Sequence, residues 1–245
     1  MRYLGGKTRN AKAITKILKS YRQDGQGYFE PFCGGLSIAS KMEGPMLLND
    51  YHQGLINLYK ACKSGEFKYP DKWITRDEYN EHKYNGDRTD PLTTFVGFGL
   101  SYAGKWFGGY DAWEDNHNNP GGVTFASARS LKKKFETDIK DAIFESKSYV
   151  EFNPKDRLIY CDPPYANTTS YTGVDEFDHE QFWDIMRIWS KSNTVIVSEF
   201  NAPDDFVAVW EKPYKVQMCV EQQHVVEKLF IHKDFEIKNN IGLFA

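Results

Sequence analysis

Apolar and polar positions alternate along the chain in blocks that predict helices and strands in succession. Residues 8–21 place apolar side chains at helical spacing between basic ones, and 28–32 is typical of a short strand. The glycine pair Gly34–Gly35 predicts the start of a second helix, whose inner face would carry Ile38, Ala39 and Met42. A strand at 46–50 and a helix at 52–63 follow. Two strand–helix units in succession favour a parallel, doubly wound α/β sheet.

This rhythm is lost between about 66 and 150 and then returns. The middle region is charged and aromatic, and it predicts helices at 75–84, 91–101 and 128–143 with a Gly- and Asn-rich loop at 104–122. Beyond it the pattern predicts a strand, a helix, a strand and two extended segments joined by a turn, at 157–162, 178–191, 193–198, 214–219 and 225–232. We therefore expect a catalytic sheet domain at 1–65 and 150–245, with an inserted, mainly helical and loop recognition region at 66–149.

Composition limits the class of protein without deciding its partner. The chain has 245 residues, of which 40% are hydrophobic and 16% aromatic, so it can bury a sizeable core. Its four cysteines contain no C-x-x-C pair, which argues against zinc, other metal sites and a disulfide framework, and favours a reducing cytoplasm. No stretch of 18 uncharged apolar residues predicts a membrane span. A net charge of −3 does not by itself indicate nucleic acid.

The tetrapeptide Asp162-Pro163-Pro164-Tyr165 is the strongest chemical signal. It follows a short apolar run that predicts a strand, and open α/β sheets bind their ligands where parallel strands end. The two prolines remove two backbone donors and fix two φ angles, so the turn is stiff. A carboxylate, a bare carbonyl and an aromatic face then suit a planar ring with an exocyclic amino group, such as adenine. The alternative is a tight turn whose aspartate only caps the next segment.

A second group of candidate residues follows the first two predicted strands. The segment 30–37 carries Gly34 and Gly35, which allow close approach of a ligand, and a helix starting there would favour a negative group. Asp50 ends the next strand, sixteen residues after Gly34, where this kind of sheet commonly binds a ribose diol. Leu36 stands where G-x-G-x-x-G would require a glycine, which disfavours a dinucleotide oxidoreductase. An ordinary strand–helix turn remains the alternative.

Together these residues resemble the Dam-type (D12 class, alpha group) S-adenosylmethionine-dependent DNA adenine-N6 methyltransferases, and the compact phage-type members most closely. The likeness is carried by the segments 3–7, 30–37, 49–50, 162–165 and 226–230, in the order typical of the class. It implies a Rossmann-like methyltransferase sheet with an inserted DNA-recognition region. It also implies that Tyr3, Lys7, Asp50 and Asp162 contact the cofactor and that Phe32, Gly34 and Gly35 line its cradle, with Tyr149 stacking on its adenine. The cofactor would be S-adenosylmethionine, and its product S-adenosylhomocysteine.

The resemblance also implies a mechanism. The adenine amino nitrogen becomes tetrahedral and gains positive charge as it is methylated, so acceptors aimed at its hydrogens favour the transition state. Asp162 and the carbonyl of Pro163 would be those acceptors, with Tyr165 stacked on the ring. The base must leave the duplex to be reached. The polar segment 167–173 suits a lid over the flipped base, or is an ordinary surface loop.

The middle region supplies the candidate DNA contacts. Its aromatic, glycine-rich segment 101–110 suits intercalation, Asn118 and Arg129 suit base edges, and Lys132 and Lys133 suit phosphates. The predicted DNA-binding residues are Lys105, Trp106, Tyr110, Asn118, Arg129, Lys132 and Lys133. The alternative for the aromatic segment is a packed satellite core.

The expected partner is therefore DNA, with double-stranded DNA favoured, and no membrane. We expect a monomer or weak dimer in a bacterial cytoplasm, of phage or prophage origin or as part of a restriction-modification pair. A methyltransferase acting on RNA or on protein glutamine uses a similar turn, but usually with Asn first and without so large an insertion. A catalytically retired DNA-binding module on the same scaffold is the non-enzymatic alternative.

Overall fold

A computed structural model describes residues 1–111, 122–165, 177–217 and 222–235; within these, the side chains of 214–217 and 222–225 are left aside. The α-helices are α1 Ala11–Tyr21, α2 Gln53–Ser64, α3 Arg76–Asn85, α4 Pro91–Gly99, α5 Gly122–Lys134 and α6 His179–Ser190. The strands are β1 Gly27–Glu30, β2 Met46–Asn49, β3 Ile143–Glu145, β4 Arg157–Cys161, β5 Thr194–Glu199, β6 Phe206–Gln217 and β7 Gln222–His232. In this part of the chain no helix has the length and apolar character needed to cross a bilayer.

The strands form one seven-stranded, mostly parallel sheet in the order β3-β2-β1-β4-β5-β7-β6. The pairs β2–β3, β1–β4 and β4–β5 are parallel. Strand β7 runs antiparallel to both of its neighbours, β5 and β6. This mixed α/β architecture is the Rossmann-like methyltransferase sheet that the sequence predicts. The chain divides into two compact units, one of Met1–Lys12 with Cys33–Ser148 and one of Ala13–Phe32 with Tyr149–Ala245.

The unit of Ala13–Phe32 and Tyr149–Ala245 contains five of the strands. Every residue of β5 is buried, which is the pattern of a strand covered on both faces. Helix α6 begins where the Asp178 carboxylate accepts a hydrogen bond of 2.9 Å from the Gln181 amide, and it buries Phe182, Met186 and Trp189. Strand order reverses between β1 and β4, the position at which sheets of this kind bind ligands.

The unit of Met1–Lys12 and Cys33–Ser148 combines β2 and β3 with helices α2 to α5. Each of the first three helices begins with a side-chain cap. The capping residues are His52 for α2, Thr75 in a capping box with Glu78 for α3, and Asp90 before a proline for α4. Its core is formed by fully buried side chains of α2 and α4, among them Leu55, Tyr59, Phe95 and Phe98.

Three predictions from the sequence are wrong in detail. No α-helix starts at Gly34–Gly35; the chain forms only a short 3-10 turn at Ala39–Lys41, because Gly34 and Leu36 have left-handed φ angles of 41° and 57°. The predicted inner face is nevertheless buried, at Ile38, Ala39 and Met42. The helix predicted at 128–143 is α5, which ends at Lys134. Strand β3 was not predicted.

The strands of the tail are longer than the sequence indicated. The described part of the extended segment predicted at 214–219, residues 214–217, belongs to β6, which begins at Phe206, and the segment predicted at 225–232 belongs to β7. The turn predicted between them lies outside the described residues. The remaining predicted helices and strands are confirmed to within about three residues of their ends, the usual uncertainty of helix boundaries being of similar size.

Candidate active site

The Asp162 turn follows the carboxyl end of β4, where the strand order reverses. β4 runs parallel to β1, with Phe29 opposite Ile159. Phe32 and Asp162 therefore come shortly after the carboxyl ends of two adjacent parallel strands. This is the location in which the sheet geometry favours a ligand.

Within the turn, the two prolines face different environments. Pro163 is buried and Pro164 is exposed, while Asp162 and Tyr165 are half-buried. The hydroxyl of Tyr165 lies 2.8 Å from the Ser198 hydroxyl, within hydrogen-bond distance. The Tyr165 ring packs edge-on against Phe200, with centroids 4.6 Å apart. The aromatic face of the turn is thus supported at its hydroxyl and along its edge.

The charge of Asp162 acts on two neighbouring groups of β4. Burial raises the pKa of the Tyr160 phenol well above its usual range, and the Asp162 carboxylate adds to the increase. Burial likewise raises the pKa of the Cys161 thiol, with a further contribution from Asp162. With raised pKa values, the Tyr160 phenol and the Cys161 thiol stay protonated at neutral pH beside the Asp162 carboxyl group.

Aromatic side chains gather after β1. The Phe32 ring lies 5.3 Å from that of Tyr149 and 6.0 Å from that of Phe177, centroid to centroid. Tyr149 lies 5.7 Å from Phe177, with an angle of 32° between the rings. Burial, and then the nearby Asp178, raise the pKa of Tyr149 to about 12. The structure therefore brings together Phe32 and Tyr149, which the sequence proposed for the cofactor.

Phe177 is a member of this cluster that sequence reasoning missed. It precedes Asp178, the cap of α6, and its ring lies 5.6 Å from that of Phe182, four residues into the helix. An apolar residue before a helix cap that packs against the fourth helical residue is a hydrophobic staple. That local signature was the available signal in the sequence.

In the other unit, Asp50 joins the end of β2 to the glycine turn. Its Oδ2 accepts a hydrogen bond of 2.9 Å from the Gly34 amide, and its Oδ1 accepts one of 3.0 Å from the His52 amide. Asp50 is buried, and burial raises the pKa of its carboxyl group, while the two backbone bonds oppose that increase. The carboxylate is therefore held in one orientation by the backbone.

The two glycines are needed because Tyr3 packs directly on them. A Cβ at Gly34 would lie 2.8 Å from Cε1 of the Tyr3 ring, and one at Gly35 would lie 2.6 Å from the Tyr3 Cβ. The Tyr59 hydroxyl donates a bond of 2.6 Å to the Gly34 carbonyl. Lys7 is half-buried and lies four residues after Tyr3, beyond the turn at Leu4 and Gly5. Tyr3, Gly34, Gly35 and Asp50 thus form one packed cluster.

Aromatic side chains of the segment 101–110 pack against the rest of their unit, which agrees with the alternative interpretation of a satellite core. The Trp106 ring lies 4.6 Å from His52 and 4.7 Å from Phe98, while the Tyr110 hydroxyl donates a 2.7 Å bond to the Ile74 carbonyl. Both remain half-exposed, so their contact with DNA stays a prediction. Tyr102, which was not among the predicted residues, is 70% exposed.

The basic side chains predicted to contact DNA are exposed to solvent where the structure describes them. Lys105 is exposed, and so are Arg129, Lys132 and Lys133 on α5. The last two follow Arg129 by three and four positions, so the three charges share one side of the helix. Asn118 lies outside the described residues.

The sheet, with candidate ligand residues after its β1, β2 and β4 strands, is consistent with a Rossmann-like methyltransferase fold. Residues 3–90, about a third of the chain, match the family model of D12 class N6 adenine-specific DNA methyltransferases. The matched stretch contains the Tyr3–Lys7 segment, the glycine turn and Asp50. The match over this part of the chain indicates an adenine-specific DNA methyltransferase.

Proposed function

We propose that the protein transfers a methyl group from S-adenosylmethionine to the N6 amino group of a DNA adenine that has been flipped out of the duplex. The cofactor, when bound, supplies an electrophilic methyl group on a sulfonium. The observation that carries the proposal is the rigid Asp162-Pro163-Pro164-Tyr165 turn after β4, next to the reversal of strand order. The domain division at 65 and 150 stays a prediction.

The cluster of Tyr3, Gly34, Gly35 and Asp50 suits the cofactor. The absence of Cβ atoms at the glycines permits close packing on Tyr3, and the same property permits a ligand to approach the backbone. Each Asp50 oxygen that accepts a backbone bond has a second lone pair, which suits a ribose hydroxyl. Lys7 would bind the methionine carboxylate. Phe32 and Tyr149 would provide apolar faces for the cofactor, with Tyr149 against its adenine.

Asp162 and the Pro163 carbonyl would accept hydrogen bonds from the target amino group. Both acceptors gain strength as the nitrogen becomes positively charged, so they stabilise the transition state more than the ground state. The ring of Tyr165 would stack on the base. The segment proposed as a lid, 167–173, lies outside the described residues.

The exposed charges of α5 and Lys105 would contact DNA. Arg129 would reach a base edge, and Lys132 and Lys133 would neutralise phosphates. We add Tyr102 to the proposed DNA surface because its ring is largely exposed beside Lys105, whereas Trp106 and Tyr110 are committed to packing. An exposed aromatic ring next to a cation suits stacking on a base.

The decisive experiment measures tritium transfer from labelled S-adenosylmethionine to unmethylated DNA. Asp162→Ala should lower the rate by about 100-fold to 1000-fold, since one preorganised acceptor contributes about 3–4 kcal/mol, while DNA affinity changes little. Asp204→Ala, which removes an exposed aspartate of the same unit, is the matched control and should retain full activity. Near-normal methylation by Asp162→Ala would overturn the role of the turn.

Parallel reactions with RNA and with protein test the other substrates. Incorporation into either one in preference to DNA would contradict the proposal. Calorimetric titration with S-adenosylmethionine, read together with the transfer assay, separates an active enzyme from a retired scaffold. A retired scaffold would bind DNA without transferring a methyl group. Analysis of the labelled nucleosides would identify the methylated atom as adenine N6.

A further inference from the structure

A chain of three polar side chains runs from the Asp162 turn into the sheet. The Tyr165 hydroxyl lies 2.8 Å from Ser198 Oγ, and Ser198 Oγ lies 3.4 Å from Glu227 Oε1. Ser198 is fully buried and Glu227 is only 2% exposed. Burying a serine and a glutamate to this degree is costly unless each has a hydrogen-bond partner, so these contacts are expected to have a role in the structure or the site.

The direction of the hydrogen bonds follows from the number of protons. Ser198 donates its single hydroxyl proton to Oε1 of Glu227. The Ser198 oxygen must then accept from Tyr165, and the phenol proton points into the sheet. Glu227 thus determines the direction in which the hydrogen bonds run from Tyr165 through Ser198.

The two supporting residues lie on strands rather than on loops. Ser198 is the fifth residue of β5, and Glu227 belongs to β7, which pairs with β5 antiparallel so that Ser198 faces Leu229. A side chain held by adjacent strands has less freedom than one held by a loop. The Tyr165 hydroxyl is therefore hydrogen-bonded to a residue of the paired strands β5 and β7, although Tyr165 itself lies after the end of β4.

We propose that Ser198 and Glu227 are positioning residues that hold the Tyr165 ring in place through its hydroxyl group. This inference rests on the proposed function, in which that ring stacks on the target adenine. The Phe200 contact at 4.6 Å supports one edge of the ring, and the hydroxyl bond fixes the direction of the ring's long axis, which ends at the hydroxyl oxygen. A ring fixed in advance presents its face to the base without a further loss of side-chain entropy.

The first test is a double-mutant cycle on methyl transfer from tritiated S-adenosylmethionine to DNA. Ser198→Ala and Tyr165→Phe should each lower kcat by about tenfold, with the KM for S-adenosylmethionine unchanged, because orientation rather than cofactor binding is lost. The double variant should be no slower than either single variant. Additive losses would overturn the proposal, because they would show that Ser198 acts without the Tyr165 hydroxyl.

Thr194→Val is the matched control. Thr194 is a fully buried hydroxyl residue on the same strand, and it bonds to Gln26 at 3.2 Å instead of to the turn. Its variant loses a buried hydroxyl and should keep kcat. Glu227→Gln keeps the shape of the side chain but can donate as well as accept, so it should lower kcat by a smaller factor than Ser198→Ala. A Thr194→Val loss equal to that of Ser198→Ala would also contradict the proposal.

A second measurement does not depend on activity. In protein labelled with 3-fluorotyrosine, the ¹⁹F resonance missing from Tyr165→Phe identifies Tyr165. Ser198→Ala should shift and broaden that resonance, and Thr194→Val should leave it in place. An unchanged resonance in Ser198→Ala would overturn the positioning role. Failure of the wild-type protein to methylate DNA would instead overturn the proposed function, so the two failures are distinguishable.

Discussion

The Asp50 carboxylate and the Gly34 amide are joined by a hydrogen bond of 2.9 Å, although the two residues are 16 positions apart. The bond attaches the glycine turn to the carboxyl end of β2. The other carboxylate oxygen accepts from the His52 amide, so the backbone orients both oxygens. Asp50 therefore has a structural role that is separate from its proposed contact with ribose, and a conservative replacement tests both.

Asp50→Asn should weaken cofactor binding and lower stability together. The amide keeps the volume of the side chain but replaces one acceptor oxygen with a donor, so either Gly34 or His52 loses its partner. We expect a loss of about 1–3 kcal/mol in the free energy of unfolding and a rise of about tenfold in the dissociation constant for S-adenosylmethionine. Denaturant titration and calorimetry measure the two effects.

Asp138→Asn controls for the loss of a carboxylate that orients a glycine. Asp138 Oδ2 accepts a bond of 3.0 Å from the Gly44 amide, in the same unit but on an exposed surface. This variant should bind S-adenosylmethionine normally. If both variants weakened binding equally, Asp50 would have no specific role in the cofactor site.

Gly34→Ala should weaken cofactor binding through a clash with Tyr3. The added Cβ would lie 2.8 Å from the Tyr3 ring, at a left-handed φ of 41°. Gly65 provides a matched control, because its φ is 78° but a Cβ there meets nothing within 4 Å. Both variants carry the backbone penalty of about 1 kcal/mol, and Gly34→Ala alone should displace the ring. Calorimetry should show weaker S-adenosylmethionine binding only for Gly34→Ala.

The sequence predicted the long elements because their patterns are local. Helix α2 and strand β5 each show their apolar spacing within a single window of residues. The helix expected after Gly34 failed because its first turn is shaped by contacts from distant residues, Tyr3 and Asp50. Strand β3 has three residues, of which Ile143 is exposed and only Phe144 is buried, so no period was visible.

The same distinction applies to the candidate site. Asp50 and Asp162 were placed at strand ends by position along the chain, and the structure confirms those locations. Ser198 and Glu227 carry no local signature. Their relation to Tyr165 depends on the pairing of β5 with β7, which a single sequence does not specify. Residues that support a site through strand pairing require the fold to be known.

Tyr102 and Trp106 should respond in opposite ways to replacement by alanine. Tyr102→Ala removes an exposed ring, so stability should change by less than about 0.5 kcal/mol, while affinity for duplex DNA falls by about tenfold. Trp106→Ala removes a ring packed on Phe98 and should cost about 2 kcal/mol or more in stability. Fluorescence anisotropy and thermal unfolding distinguish them. Normal DNA binding by Tyr102→Ala would remove it from the DNA surface.

The exposed charges of α5 should contribute to the salt dependence of DNA binding. Replacing Arg129, Lys132 and Lys133 with Gln removes two cations proposed to neutralise phosphates and one proposed to reach a base edge, so the slope of log affinity against log salt should decrease by about 2. Lys60→Gln, an exposed lysine on α2, is the control and should leave the slope unchanged. An unaltered slope in the triple variant would place the DNA elsewhere.

The ion pair between Arg187 and Asp205 should make the free energy of unfolding decrease at low pH. The Arg187 guanidinium donates from Nε and Nη2 to the two Asp205 oxygens at 2.6 and 2.9 Å, and this contact lowers the pKa of Asp205 below its usual value. A lowered pKa means that the pair stabilises the folded state above the unfolded-state pKa of about 4, and that this contribution disappears as the pH falls through the folded-state pKa. Because both side chains are about one-third exposed, we expect Asp205→Asn to cost about 1 kcal/mol at pH 7 and less at pH 3.

Denaturant titrations at the two pH values measure the difference, with Asp204→Asn as the control on the neighbouring exposed aspartate. A cost for Asp205→Asn that is the same at both pH values would show that the ion pair does not contribute through its charge.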